Sequence, residues 1–361
     1  MRCLRFTSSV LAVSLFALVA CDKEPQTETP VESDAGVDKN ATLDPALAKA
    51  MAAASAGARR GPAAAASGGP PANGIFPPGA ADREIKRGDA PKIALGGQGS
   101  EPRIALGPAQ PKPGMKLMGT IEVVQRDPGG GGALPIEFTL RIEAKKGDKP
   151  AGTDTAAAPA AVPMVAQVVS ARAAVAGVPR DLDDAIQKFK GAKVEYQVLP
   201  DGTGTGYRYD VGAAKPELGD MMRLLSDTLA LVTLPLPAQP VGKGAFWMVT
   251  SREGVLGLDL VTYRMIKVEE IAADKATLSV SAKRYATSDR FELAQLPPDA
   301  PKDLAGFEAK SEGRLELTPG TPFPIAGQIG SALAAQLGTD PQKAGTLQLQ
   351  SRAGLAFQPA K

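Results

Sequence analysis

The sequence contains 361 residues, with 41 basic and 39 acidic side chains and no histidine. The lack of histidine excludes Ser-His-Asp and Cys-His catalysis, the HExxH metalloprotease motif and most zinc sites. No Ser-x-x-Lys or Gly-x-Ser-x-Gly motif is present, and a net charge of +2 gives no electrostatic reason to bind nucleic acid. We therefore predict no catalytic residue, no metal, no cofactor and no nucleic-acid partner.

Residues 1 to 20 have the pattern of a secretory signal peptide. A basic start is followed by an apolar stretch that is shorter than the roughly 20 residues of a membrane-spanning helix. The stretch ends in Leu-Val-Ala-Cys at residues 18 to 21, which resembles the lipobox of bacterial lipoproteins. The resemblance implies that a peptidase cuts before Cys21 and that the cysteine sulfur carries a diacylglycerol. An ordinary cleaved signal and a short anchor helix are the alternatives.

Lipidation at Cys21 determines the predicted location. Several acyl chains on one residue make membrane attachment effectively permanent, so we predict a lipid-anchored protein of the bacterial cell envelope whose domain faces the periplasm or the exterior. Asp22 resembles the inner-membrane retention signal of some bacteria, but that rule differs between lineages, so the sequence leaves the inner and outer membranes open. Because cleavage removes Cys3 and lipidation uses Cys21, the mature chain has no free thiol and no disulfide.

Residues 21 to 89 form a predicted tether that begins with the lipidated cysteine. The segment is dominated by Ala, Pro, Gly, Ser and charged residues, as in DKEPQTETPVESDAGVDKN and ARRGPAAAASGGPPANG. Such a composition cannot bury enough apolar surface to offset the entropy lost on ordering, so we expect it to be disordered. One short helix is expected after Asp44 and Pro45, which suit a helix start.

Residues 90 to 361 form the predicted folded domain, because apolar and polar residues alternate there with the period of two that is typical of strands. The predicted strands are PKIALGG, GMKLMGTIEVVQ, LPIEFTLRIEA, AKVEYQVL, GYRYDV, AFWMVTS, LVTYRMIKVEEI, ATLSVSAKRYA, GRLELTP and GTLQLQSRAGLAF. Short turns between neighbouring segments predict antiparallel pairing. Residues 145 to 161 predict a disordered loop within this single domain, because strand patterns flank them on both sides.

Two segments of this domain have helical patterns. RDLDDAIQKFKG carries acidic residues at its start, where the helix dipole favours them. PELGDMMRLLSDTLALV carries apolar residues at helical spacing on more than one side, so we expect this helix to be buried beneath or inside the sheet. The predicted fold class is mainly β with a minor α+β character: an antiparallel curved sheet or partly open barrel with two or three helices.

The segment LVTLPLPAQPVGKGAFWMV, residues 231 to 249, is the most distinctive in the chain. Its three prolines fix φ and cannot donate to a sheet, so we predict an extended strip outside the sheet that leads into a strand. With PKIALGGQGSEPRIALG and FKGAKVEYQVLPDG, the segment resembles a family of uncharacterised secreted bacterial proteins and lipoproteins, a domain of unknown function in which a Pro-rich strip precedes paired strands. The resemblance runs from Pro91 to the C terminus; it implies a fold and no catalytic residues.

Three classes of function remain. The first is a non-enzymatic, membrane-anchored module that binds an apolar ligand such as a lipid, or an envelope protein. The second is a purely structural or interaction lipoprotein with a filled core, and the third is a hydrolase that uses carboxylates alone. For the first class, Met221, Met222 and Leu225 on the second helix are the candidate ligand-lining residues, because methionine repacks around varied guests. Trp247, the only tryptophan, is interpreted as a core or rim anchor, with ligand stacking as the alternative.

Overall fold

The computed structural model describes residues 70–107, 116–126, 134–145, 161–215, 219–255, 257–272, 274–290, 303–338 and 347–359. All of them belong to one compact unit, Asp44–Lys361. The predicted signal peptide, Cys21, the tether up to residue 69 and residues 146–160 of the predicted loop lie outside the described residues.

The described residues form three helices and twelve strands. The helices are α1 (Ala80–Glu84), α2 (Arg180–Gln187) and α3 (Gly219–Val232). The strands are β1 (Lys92–Gly97), β2 (Lys116–Arg126), β3 (Leu134–Ala144), β4 (Val162–Ala173), β5 (Lys193–Val198), β6 (Gly204–Asp210), β7 (Phe246–Val255), β8 (Leu258–Ile271), β9 (Ala276–Ala286), β10 (Leu304–Leu317), β11 (Ala326–Leu337) and β12 (Leu347–Pro359).

The strands pair in the order β1-β7-β8-β9-β10-β11-β12-β2-β3-β4-β5-β6, and each pairing is antiparallel. Strands β1 and β6 form the two ends of this series, so it is not closed into a barrel. The predicted fold class, mainly β and antiparallel with two or three helices, is confirmed.

The curvature of the sheet follows from the contacts of α3. This helix packs against β6 at one end of the strand order, against β7 near the other end, and against β11, β12 and β2 in the middle. A flat sheet of twelve strands would be roughly 50 Å wide at about 4.8 Å between strands, whereas a helix of 14 residues is about 21 Å long. The sheet must therefore curl around α3, which lies on its concave face.

The main core is one continuous cluster of buried apolar residues. Strands near both ends of the strand order contribute to it, and so do helices α2 and α3. Strand β3 shows how the sequence builds it: Ile136, Phe138, Leu140 and Ile142 are buried, while the residues between them face away from the core, as the alternation predicts. The ring of Phe138 meets Phe189, just after α2, edge to face at 5.3 Å. The extensive burial of apolar side chains accounts for the stability of this domain without a disulfide.

Residues 234–240 lie in no helix or strand, so the strip after α3 lies outside the sheet, as predicted. Leu234 and Leu236, both within the strip, are buried. The turn between β5 and β6 approaches it so closely that a Cβ on Gly202 would lie 2.1 Å from the Leu234 carbonyl oxygen. Since Gly202 also has a φ of 82°, only glycine fits this position without strain.

Two of the twelve described strands are not among the predicted segments. Strand β4 corresponds only to the strand pattern that flanks the predicted loop, and β11 was not predicted at all. Strand β11 contains AGQIGSALAAQL, a run rich in Ala and Gly that has low β propensity. It is nevertheless paired along most of its length with β10 on one side and β12 on the other. Pairing with two neighbours determines its conformation here, and the local composition does not.

Residues 70 to 89 also differ from the expected tether. They include α1, and Phe76, Ala81 and Ile85 are buried against Val261 on the outer face of the sheet. Few apolar residues suffice in this segment, because the sheet already supplies the surface on which they pack.

Candidate functional site

The predicted ligand-lining residues lie in or beside the core. Met222 and Leu225 on α3 are fully buried within it, and Met221 is partly buried and packs against its edge. Trp247 on β7 is fully buried, and its indole Nε1 donates a hydrogen bond of 2.8 Å to the Pro235 carbonyl oxygen of the strip. Thus α3 and the strip are joined to β7 by both packing and a hydrogen bond.

Beside these apolar residues, three charged side chains lie on the concave face. Glu253, Arg264 and Arg284 belong to the neighbouring strands β7, β8 and β9, at positions whose alternation directs them toward the core. The core residues on the same faces are Val249 and Val255 on β7, Leu260 and Ile266 on β8, and Val280 and Ala286 on β9. With Asp227 from α3 they form a group that we call the inner polar cluster.

Glu253 is the centre of the inner polar cluster. Its carboxylate accepts hydrogen bonds from the Ser251 hydroxyl at 2.7 Å and the Thr262 hydroxyl at 3.0 Å. It also pairs with Arg264 Nη2 at 3.3 Å and Arg284 Nη2 at 3.4 Å. Burial alone would raise the pKa of Glu253, but the two guanidinium groups and the two hydroxyls outweigh it and hold the pKa below its usual range. Glu253 is therefore ionised.

The two arginines are deeply buried, with only 4% of the Arg264 side chain and 5% of the Arg284 side chain exposed. Arg264 Nη1 donates a hydrogen bond of 2.7 Å to the Thr233 carbonyl oxygen at the end of α3. Within the described part of the chain, Nε of Arg264 and both Nε and Nη2 of Arg284 have no hydrogen-bond partner. Buried N–H groups without a partner are costly, so these donors call for an explanation.

Asp227 brings a second carboxylate from the helix toward these arginines. Its Oδ2 is inaccessible to solvent and has no hydrogen-bond partner among the described residues. Burial raises its pKa to about 7, with a further rise from Glu253, although Arg284 and Arg223 oppose the change. Asp227 therefore changes charge near neutral pH.

Polar atoms without a hydrogen-bond partner are concentrated in this part of the interior. Of the 7 buried side-chain polar atoms without a hydrogen-bond partner in the described residues, five belong to Asp227, Arg264, Arg284 and Ser311. Ser311 on β10 lies opposite Ala282, which itself lies opposite Arg264. The concave face is thus apolar over most of its area and has one localised polar region, the general pattern of a ligand site.

A cleft of about 630 Å³ lies where β9 and β10 separate. The two strands pair only from Arg284 and Ala309 onward; beyond that point, the backbone of Asn73 and Gly74 inserts between Phe307 and Ala286 with hydrogen bonds of 3.1 and 2.9 Å. The cleft opens on the outer face of the sheet, whereas the Arg284 side chain faces the concave side with the inner polar cluster.

The lining of the cleft combines apolar surface with positive charge. Pro70, Pro71, Tyr285 and Ala334 provide apolar surface. Two basic residues, Lys283 and Lys310, stand beside one acidic residue, Glu308, which lies 3.9 Å from the Lys310 ammonium. Met221, Met222, Leu225 and Trp247 are not part of this lining. The cleft therefore combines apolar surface with a few polar side chains.

The sequence contains one signal of the inner polar cluster. In LDLVTYRMIKV, the core-facing series reads Leu258, Leu260, Thr262, Arg264, Ile266, Val268. A charged residue within an apolar series of period two marks a buried charge, which needs a partner. The identity of that partner depends on β7 and β9, which only the sheet register supplies.

No family model matches the sequence, and no curated protein matches it. Among solved structures, the chain is similar to one titled "Lipid-protein interactions in lipovitellin", with 12% identity and a TM-score of 0.42 over 70% of this chain. The match spans about a quarter, 26%, of that protein's chain. Within the described residues, no cluster of three or more metal-ligating side chains occurs, and no helix is long and apolar enough to cross a membrane.

Proposed function

We propose that this protein is a lipid-anchored lipoprotein of the bacterial envelope whose β domain binds an apolar or amphiphilic ligand and performs no catalysis. The anchor part of the proposal rests on the lipobox at residues 18 to 21 and on the permanence of attachment through several acyl chains. A membrane-tethered domain is well placed to meet lipids and other amphiphiles. The binding part rests on the cleft.

The observation that carries the binding proposal is the cleft of about 630 Å³ between β9 and β10. Its volume lies within the range of about 300 to 1,000 Å³ that small-molecule sites occupy. Its lining is apolar at Pro70, Pro71 and Ala334 and carries a few polar groups, among them Lys283, Glu308 and Lys310. This composition suits a molecule with an apolar chain and a polar end.

A purely structural lipoprotein is the alternative, and one observation favours it. Met222, Leu225 and Trp247 are fully buried in the core, so α3 already fills part of the concave face that a ligand inside a curved sheet would occupy. Binding in the cleft between β9 and β10 does not require α3 to leave this position.

Gly306 offers a direct test, because it lines the cleft and a Cβ there would approach no atom closer than 3.6 Å. Gly306→Trp should therefore fill the cleft with little strain. Gly330→Trp is the matched control: Gly330 lies exposed on β11 outside the cleft, and its nearest atom would be at 4.0 Å.

The experiment uses the full chain with Cys21→Ser, so that no acyl chain is attached, and native mass spectrometry with added dodecanoate. We expect the protein and its Gly330→Trp variant to bind one dodecanoate, and Gly306→Trp to lose it. A protein that carries no ligand and takes up no dodecanoate would overturn the binding proposal and leave the structural alternative.

A further inference from the structure

We propose that strand β6 is a dimerisation edge, which pairs with β6 of a second copy of this chain, antiparallel and about a two-fold axis at Tyr209. No residue of β6 lines the cleft between β9 and β10, so this pairing does not depend on the proposed ligand. A free strand edge, exposed side chains and a charge pattern that complements itself carry the proposal.

The free edge of β6 presents unpaired backbone groups. Within the described part of the chain, β6 is the last strand of the sheet and pairs with β5 alone. The Leu199 N–H donates to the Thr203 carbonyl oxygen at 2.8 Å. Because backbone groups alternate along a strand, Glu195 on β5 also bonds toward β6, where its partner is Arg208. Arg208 thus directs its N–H and C=O toward β5, and the next residue, Tyr209, directs its own toward the free edge.

The side chains at this edge are exposed. Tyr209 is 38% exposed, although Val194, its neighbour across the β5–β6 pair, is fully buried. Arg208 and Asp210 are exposed as well. Within the described residues Arg208 has no ion pair and no hydrogen bond, and the Asp210 carboxylate accepts only from the Gly212 N–H, at 2.9 Å. An exposed strand edge of this kind is a template for pairing with another chain.

The charges of β6 select one register for a two-fold pair. The axis of such a pair passes through a residue, because paired residues must direct their backbone groups the same way. An axis at Arg208 would oppose two arginines, and an axis at Asp210 would oppose two aspartates. An axis at Tyr209 places each Arg208 opposite Asp210 of the second copy. Opposite charges on paired strands stabilise the pair and like charges destabilise it, so the Tyr209 axis is favoured.

The complementarity continues onto β5. Within one copy, Asp210 lies opposite Lys193 and Arg208 lies opposite Glu195. Across the proposed dimer, the row of opposed residues would read Lys193, Asp210, Arg208, Glu195. Its signs alternate throughout, while the opposite face of the two strands would bring the two Tyr209 rings together. A second copy of this chain therefore fits the edge on both faces.

Disulfide formation through Tyr209→Cys tests the register. The full chain with Cys3→Ser and Cys21→Ser is the background, because it contains no other cysteine. Directly opposed residues of a hydrogen-bonded antiparallel pair lie about 5.5 Å apart at Cα, within the roughly 4.4 to 6.8 Å that a disulfide spans. Mild oxidation should therefore link two copies. Thr205→Cys is the matched control: Thr205 is exposed on the same strand but would lie about 27 Å from its equivalent.

Charge exchange tests the complementarity, with sedimentation velocity over a range of concentrations as the measurement. Arg208→Asp and Asp210→Arg would each oppose like charges twice, so each should weaken the dimer roughly 10-fold. The double variant Arg208→Asp/Asp210→Arg restores opposite charges and should dimerise nearly as well as the parent protein. Asp210→Arg also loses the hydrogen bond from Gly212, but the double variant shares that loss, so its recovery isolates the pairing.

The contrary results are distinct. A protein that stays monomeric at every concentration and forms no cross-link would overturn the pairing, and so would equal cross-linking at positions 205 and 209. A dimer that all three charge variants retain would place the interface elsewhere on the domain. Oligomers larger than a dimer would indicate that β6 joins β1 of another copy, which would overturn the two-fold axis.

Discussion

The Asp227→Asn variant tests the electrostatics of the inner polar cluster. Asp227 has an ordinary pKa of 3.8 and a pKa of about 7 in the folded protein, chiefly because it is buried. The folded protein therefore holds a proton on Asp227 that the unfolded chain releases. Between pH 3.8 and 7 the folded state binds more protons, so its stability falls as the pH rises through this window and levels off above it.

The magnitude follows from the two pKa values, 3.8 and about 7. Linkage gives a loss of about 3 kcal/mol of unfolding free energy between pH 5 and pH 8 from Asp227 alone. Asparagine cannot ionise, so this contribution should be absent in Asp227→Asn. From pH 5 to pH 8, the difference in unfolding free energy between Asp227→Asn and the parent protein should therefore shift by about 3 kcal/mol in favour of the variant. The expected shift does not depend on how stable the variant is at either pH.

Urea unfolding at pH 5, 6, 7 and 8 measures this difference, and urea is preferable to guanidinium because it does not screen charges. Asp220→Asn controls for the loss of a carboxylate from α3, since Asp220 pairs with Arg223 on the same helix at 3.6 Å. If the parent protein and Asp227→Asn show parallel stability profiles, Asp227 is not buried against the inner polar cluster and the reasoning fails.

Three further outcomes are expected. Leu225→Ala should lower the unfolding free energy by about 2 to 5 kcal/mol, because Leu225 is fully buried in the core; a loss below about 1 kcal/mol in urea unfolding would contradict its packing. Labelled fatty acid should be incorporated into the parent protein and not into Cys21→Ser, and an unlabelled parent would refute the anchor. Brief proteolysis should remove residues 22 to 69 first, as their composition predicts, and survival of that segment in the mass spectrum would refute a disordered tether.

The fold could be predicted from the sequence to the extent that local patterns determine it. The alternation in β3 and β9 predicted both strands with their observed limits, because each has one buried and one solvated face. Helix α3 was predicted from its helical spacing, although its described start is Gly219. Strand β11 was missed, since Ala and Gly favour a strand only when two paired neighbours impose it.

The candidate site was beyond sequence reasoning for a different reason. Met222, Leu225 and Trp247 could be recognised as buried residues from local pattern alone. The inner polar cluster joins Asp227 on α3 to Glu253 on β7 and Arg284 on β9, and the cleft joins β9 to residues near position 70. These contacts depend on the register and curvature of the sheet, which no local pattern contains.

The inner polar cluster is costly for the stability of the core. Pairing buried charges seldom stabilises a protein more than apolar residues of the same volume would, because each charge loses its hydration. The Arg264 and Arg284 side chains are at least 95% removed from solvent in a core that is otherwise apolar, and three of their nitrogen atoms have no hydrogen-bond partner in the described residues. Leucine or methionine at these positions would satisfy the core without that cost.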